Sequence, residues 1–153
     1  MITITPATAA DAPLLADIQR QAFAPLYALY QDEGSPYLRG EEEILCWLTL
    51  PHWHVWTIHA DGILCGGIAV REHAADMLYL ARLYISPTHQ RQGIAARAIA
   101  LCELSFPPHT HWQVDFPADQ PANRRCYKAA GYRDTGRREQ VNERLTLAIY
   151  EHY

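Results

Sequence analysis

Gln90-Arg91-Gln92-Gly93-Ile94-Ala95 is the part of this chain best suited to hold a ligand. It follows the apolar run Leu83-Tyr84-Ile85 and the turn Ser86-Pro87, and it leads into a helix-periodic segment. A strand that turns into a helix in this way leaves a row of backbone N–H groups unpaired at the helix start, which is a site for an anion. Gly93 and Ala95 are small, so a phosphate can approach the main chain closely. The side chains of Gln90 and Arg91 can add donors. Taken alone, the stretch also reads as an ordinary helix start.

Other reactive residue types carry less. His52 and His54, like His109 and His111, each share a strand face, but zinc needs a third ligand at motif spacing and none is present. No metal is expected. Cys46, Cys65, Cys102 and Cys126 are far apart and sit in apolar stretches. They read as small buried hydrophobes of a reduced, cytoplasmic protein.

The elements that position the loop follow from pattern. Ile2 to Thr5 alternates as a first strand. Thr8-Ala9-Ala10-Asp11 has capping-box spacing and opens a helix with Leu14, Leu15, Ile18 and Ala22 as its apolar stripe. Pro13 fits the first turn, and Pro25 ends or kinks the helix. Leu26 to Gly40 reads as irregular and rich in tyrosine. Glu41 to Leu50 reads as a second helix, with Glu41-Glu42-Glu43 as its solvated first turn. His54 to Ala60 and Ile63 to Val70 flank Asp61-Gly62, a hairpin signal, and Met77 to Ile85 is a third long apolar run that makes the fourth strand. Then come a helix over Gly93 to Phe106 stopped by Pro107-Pro108, a strand over Trp112 to Phe116, and a short helix over Pro121 to Ala130 with Gly131 as its C-cap. Tyr132 to Thr135 and Arg144 to Tyr150 complete the order β-α-α-β-β-β-α-β-α-β-β.

A chain of 153 residues can build one domain with its own core. No apolar run nears ~18 residues, so no membrane span is expected. Met1 to Pro6 lacks a basic region followed by an apolar block, so it is not read as a secretory signal. The net charge is −4. Arg124, Arg125, Arg137 and Arg138 do not amount to a domain-wide basic surface, and nucleic acid is not an expected partner.

A second motif is Asn123-Arg124-Arg125-Cys126-Tyr127-Lys128-Ala129-Ala130-Gly131-Tyr132. With Gln-x-x-Gly-x-Ala and the element order, it resembles the GNAT superfamily of acetyl-CoA-dependent N-acyltransferases. In that family a tyrosine on the last helix is followed four residues later by Gly and then an aromatic, as Tyr127, Gly131 and Tyr132 are here. The resemblance implies an α/β fold (an α+β mixed sheet) forming a single domain over residues 1–153. It implies acetyl transfer from acetyl-CoA to a primary amine, most readily of a small molecule, by direct attack in a ternary complex without a metal. Assembly as a homodimer stays open.

Site residues follow residue by residue. The resemblance puts the pyrophosphate on Gln90, Arg91, Gln92, Gly93, Ile94 and Ala95, and pantetheine along the main chains of Leu83, Tyr84 and Ile85 as an added strand. The family often has an asparagine seven residues before the tyrosine. Here that place holds Gln120, while Asn123 is four before, and either amide can serve the pantetheine arm. Tyr127 is the general acid for the departing thiolate, a group with intrinsic pKa near ~8.5 if cysteine is taken as the reference thiol. A core tyrosine is the other reading.

A lysine-like acceptor is over ~99% protonated at pH 7, so a base or a water chain would help. The family's strand glutamate has no counterpart in Met77 to Arg82, which leaves Glu72, His73 and Asp115 as candidates. Tyr27, Tyr30 and Tyr37 lie where the family lines its acceptor site, or else pack over the core. The missing strand carboxylate keeps a non-catalytic acyl-CoA sensor open as the competing class, and a peptide or protein amine is the other acceptor for an enzyme.

Overall fold

The computed structural model describes residues 1–74, 76–108 and 110–153. Seven strands form a sheet: β1 (Ile2–Pro6), β2 (Trp53–Ala60), β3 (Ile63–Ala74), β4 (Met77–Ile85), β5 (His111–Pro117), β6 (Arg133–Gln140) and β7 (Thr146–His152). Their spatial order is β1-β2-β3-β4-β5-β7-β6, and β4–β5 is the parallel pair in an otherwise antiparallel sheet. Four helices, α1 (Ala12–Tyr30), α2 (Glu41–Thr49), α3 (Ile94–Glu103) and α4 (Pro121–Ala129), complete the expected order. No described helix is long and apolar enough to cross a membrane.

Period-two alternation sends each strand's apolar residues to two covered faces. On one face Trp56, Ile58, Ile68, Val70, Val114 and Phe116 meet Ile94, Ala98, Ile99 and Cys102 of α3 and Tyr127 of α4. On the other, Val55, Ala69 and Tyr84 meet Ala12 and Leu15 of α1 and Ile44 of α2. The Asp61-Gly62 hairpin turns with φ of 50° and 83°, the positive pair its type requires. Gly66 and Gly67 on β3 permit a close approach of β4. A Cβ on Gly66 would stand 2.2 Å from the Tyr84 carbonyl oxygen, and one on Gly67 would stand 2.4 Å from the Tyr84 hydroxyl.

Several boundaries differ from expectation. α1 runs through Pro25 to Tyr30 and ends on Gln31, at φ 47° with its N–H on the Tyr27 carbonyl. Pro25 is exposed, so the carbonyl it leaves unpaired faces water and the helix survives. The region expected to be irregular therefore begins only after Tyr30. Leu14 is 59% exposed, because the buried stripe of α1 is Ala12, Leu15 and Gln19. β6 extends to Gln140, well past Thr135. Its polar sequence hides it from pattern reading, but an edge strand needs only main-chain partners on β7.

Candidate functional site

The β4–β5 pair holds only at one end. Met77, Leu78 and Tyr79 pair with His111, Trp112 and Gln113, and beyond them the two strands part. Leu80 to Ile85 stays bonded to β3 on one side and presents an unpaired edge on the other. A bulge helps: Ala69 pairs with Arg82 and Val70 with Leu80, so Ala81 is an extra residue on β4. It reverses the alternation, turning Leu83 toward the α3 face and Arg82 and Tyr84 toward α1 and α2. No residue pattern marked this bulge.

At the open end β4 passes through the single 3₁₀ turn Pro87–His89 into the loop before α3. Arg91 has φ 65° and Gly93 φ 75°. Left-handed residues in such a loop turn successive N–H groups toward one side, and the first N–H groups of α3 add to them. A Cβ on Gly93 meets nothing within 4 Å, so the main chain is open to a ligand. Leu83, Tyr84, Ile85, Arg91, Gln92, Gly93, Ile94 and Ala95 are thus brought together at the mouth of the gap. The Gln90 side chain is not available there. Its Nε2 donates to the Ile85 carbonyl at 2.9 Å, which fastens the loop to the strand.

Tyr127 reaches the gap from the α3/α4 side. It is 8% exposed, stacked on Phe116 at 5.0 Å and edge-on to Tyr132 at 5.7 Å. Its hydroxyl makes no hydrogen bond to a described residue. Burial holds its pKa far above that of a free phenol, and the nearby Cys126, Asp115 and Tyr79 raise it further. It is therefore a neutral phenol, with its hydrogen in place for a hydrogen bond. Burial also pushes the Cys126 thiol up to about 11, so that neighbour is not a thiolate nucleophile.

The opposite face of the gap carries Tyr79 and Asp115. The Tyr79 hydroxyl donates to Asp115 at 2.9 Å from each carboxylate oxygen, just past the last paired residues. Burial raises the pKa of Asp115, the Tyr79 bond lowers it in part, and Glu139 raises it again. The same burial, with Asp115 beside it, raises Tyr79, which Arg71 and Arg82 partly offset. Beside this pair lies a cleft of about 210 Å³ lined by Arg71, His73, Met77, Tyr79, Gln113 and Asp115. Tyr79, Arg71 and Gln113 were not singled out from sequence. Tyr79 sits on the strand where a carboxylate was sought, and its phenol reaches a carboxylate on β5 instead.

Among the other candidate bases, Glu72 points the wrong way. It follows the alternation of Val70 to the α3 face, at the paired end of the gap, and bonds His54 Nε2 at 3.0 Å. His73 is exposed at the cleft rim.

The amides and tyrosines separate too. Gln120 Nε2 donates to the Tyr30 hydroxyl at 2.9 Å, and that hydroxyl bonds Asp119. Asn123, one helical turn before Tyr127, makes no side-chain hydrogen bond to a described residue. Tyr30, expected to meet the acceptor, is 4% exposed and buckles α1 onto the β5–α4 loop. Tyr27 and Tyr37 stack on each other at 5.0 Å near the surface. His109, one of the expected histidine pairs, lies outside the described residues. Among those described, no three His, Cys, Asp or Glu gather as metal ligands.

A mixed seven-stranded sheet that splits between two parallel strands, beside a left-handed glycine turn at a helix start, defines an acyl-CoA-type transferase fold. The chain matches the acetyltransferase (GNAT) domain over residues 41–151, and it belongs to that family. Its fold is similar to that of the PaiA N-acetyltransferase of Thermoplasma acidophilum, solved in complex with coenzyme A, at 18% identity and a TM-score of 0.74 over 99% of this chain and 98% of that one. A GNAT family acetyltransferase from Elizabethkingia anophelis with acetyl-CoA bound is similar at 16% identity and a TM-score of 0.68, covering 99% and 97%. A spermidine N-acetyltransferase SpeG chimera from Vibrio cholerae gives 15% and 0.73, covering 99% and 94%. No curated protein matches the sequence significantly.

Proposed function

We propose that this chain transfers the acetyl group of acetyl-CoA to a primary amine of a small molecule, by direct attack in a ternary complex. The observation that carries the reading is the meeting of Tyr127 and the Tyr79–Asp115 pair from opposite faces of one gap, with the loop at Gly93 at its mouth. Acetyl-CoA supplies the thioester carbonyl that the amine attacks. Main-chain N–H groups from Arg91 to Ala95 bind its pyrophosphate, and the free edge of Leu83 to Ile85 pairs its pantetheine arm. Asn123 is the amide for that arm, since Gln120 is engaged with Tyr30.

Asp115, oriented by Tyr79, takes the proton that the acceptor ammonium loses. The amine nitrogen then bonds the acetyl carbon as the carbon–sulfur bond breaks. Tyr127 gives its phenolic proton to the departing sulfur. The proton released from the amine leaves through Asp115, and Tyr127 is reprotonated from water. Two rate factors of ~10²–10⁴ are the usual scale for a positioned base and acid.

The test follows coenzyme A release and acetylamide formation over an amine panel, with wild type and Tyr127→Phe. The phenylalanine keeps the ring stack on Phe116, so the fold survives. We expect kcat to fall about 10–10³-fold, while acetyl-CoA affinity moves less than about threefold, the scale of one lost hydrogen bond. Full kcat in the variant would make Tyr127 a core tyrosine. Tight acetyl-CoA binding without turnover of any amine would favour a sensor.

A further inference from the structure

Two arginines rise on the α1/α2 face beside the gap, in different surroundings. Arg82 on β4 is neutralised: Nη1 donates to Glu43 and, at 3.3 Å, to Gln19 Oε1, and the guanidinium lies 4.7 Å over the Trp47 ring. Arg71 on β3 has aromatic neighbours instead. Its guanidinium lies 5.9 Å from the Trp53 centroid and 5.3 Å from that of Tyr79. Among the described residues its Nε is buried without a hydrogen-bond partner, as is that of Arg82, but Arg71, unlike Arg82, has no carboxylate paired with it. Asp115, in the same cleft, has both oxygens turned to the Tyr79 hydroxyl.

A guanidinium stays charged at any working pH, and a buried donor left unpaired is costly. With two rings close by and Nε buried, it offers a partner its two Nη groups, which fit a carboxylate bidentately. The cleft is small: about 210 Å³, below the ~300–1,000 Å³ typical of drug-sized sites. One Tyr79 ring separates the unpaired cation from the carboxylate that takes the amine's proton.

We propose that Arg71 anchors a carboxylate of the acceptor, so that the acceptor is a small amino acid whose amine is presented to Asp115. This rests on the acetyl-transfer reading and adds its substrate class. Gln113 and His73 line the same cleft and supply further donors to the carboxylate. A polyamine, which brings only cations, finds an uncompensated arginine there and is disfavoured.

The test compares free α-, β- and γ-amino acids with their own carboxamides and with spermidine. Two readouts are used: acetyl transfer from acetyl-CoA, and calorimetric binding in the presence of coenzyme A. We expect wild type to prefer the free acids by about 10–100-fold, the scale of one charge-assisted pair. Arg71→Gln should erase the preference. Arg71→Lys, which keeps the charge and loses the fork, should retain part of it. Acetyl-CoA affinity and thermal midpoint, measured on each variant, establish that it is folded. Equal use of acids and carboxamides by wild type overturns the proposal, as does a preference that survives in Arg71→Gln. If no amine at all is acetylated, the transfer reading falls. The calorimetric preference for the acids still decides what the cleft binds.

Discussion

At the Met77–Tyr79 end, β4 and β5 are bonded to each other, and what faces solvent is a set of side chains: Arg71, Tyr79, Gln113 and Asp115, drawn from three strands. At the Leu83–Ile85 end the strands have parted, and what faces the gap is main chain: a free strand edge, a left-handed glycine and the first N–H groups of α3. Backbone groups suit a ligand whose shape never varies, because every residue carries them and side-chain drift leaves them intact. Side chains suit a ligand that differs from one enzyme to the next. On the proposed reading, the open end takes the acetyl-CoA that the family shares, and the closed end takes the acceptor. Each end should break without the other.

The largest effect is expected at the open end. Gly93→Glu places a side chain at φ 75°, where L residues are strained, and a negative charge at the start of α3. In the free protein the new Cβ meets nothing within 4 Å, so the fold tolerates it. We expect acetyl-CoA affinity to fall by more than about 100-fold, as charge repulsion replaces an anion-binding start. Gly93→Asn, which accepts the left-handed region, should bind within about tenfold of wild type. Unchanged calorimetric affinity in a folded Gly93→Glu protein would remove the loop from the cofactor site.

Asp115→Asn probes the closed end with a smaller effect, about 10–100-fold in kcat, and leaves acetyl-CoA affinity within about threefold. The pH profile sharpens the test. Burial raises Asp115 in the folded protein, so the acidic limb of kcat should lie above the ordinary carboxylate range of ~4 and disappear in the variant. Arg71, His73, Tyr79, Glu139 and Tyr127 are the ionisable groups facing it, and Tyr79 and Tyr127 stay neutral through that range. Linkage gives a second sign. A carboxylate whose folded pKa is raised costs stability as pH climbs from its unfolded value, near 3.8, through its folded one. The variant, which can still accept from Tyr79, should therefore unfold at no lower a temperature than wild type at pH 7. A clear fall in midpoint with kcat intact would make the pair structural.

The two ends also differed in how far they could be read from sequence. Gln90 to Ala95 is contiguous, and a strand, a turn and a glycine before a helix carry their consequence within a few residues. Tyr127, Gly131 and Tyr132 are likewise local. The closed end depends on pairing register. Tyr79 meets Asp115 only because β5 lies parallel to β4 and the ladder stops at Gln113. Glu72 was misdirected because strand parity sends it to the α3 face beside His54. The bulge at Ala81 has no marker in composition, and the role proposed for Arg71 rests on its having no carboxylate partner among the described residues. Gly66-Gly67 was a signal that could have been used, since two glycines inside an apolar strand announce a close approach, here of Tyr84.

Tyr30 belongs to neither end, which makes it the most discriminating of the small effects. It is buried at the last turn of α1, its hydroxyl bonds Asp119 and accepts from Gln120, and its carbonyl accepts from Asn142 Nδ2 at 3.0 Å. These bonds join α1 to the β5–α4 loop and to the turn between β6 and β7. Its pKa is raised by burial first and by Asp119 next, so it works as a neutral donor across the physiological range. Tyr30→Phe keeps the packed ring and removes only the hydroxyl. Two hydrogen bonds go, one of them to a carboxylate that can turn to water, so the stability loss should be about 1–2 kcal/mol. Because Gln120 is the N-cap of α4, loosening this buckle should shift Tyr127 slightly, and kcat should fall about two- to fivefold with both KM values nearly unchanged. A substantial rise in the acceptor's KM alone would restore Tyr30 to direct acceptor contact. A change in acetyl-CoA KM alone would mean that Gln120, once released from Tyr30, competes with Asn123 for the pantetheine arm.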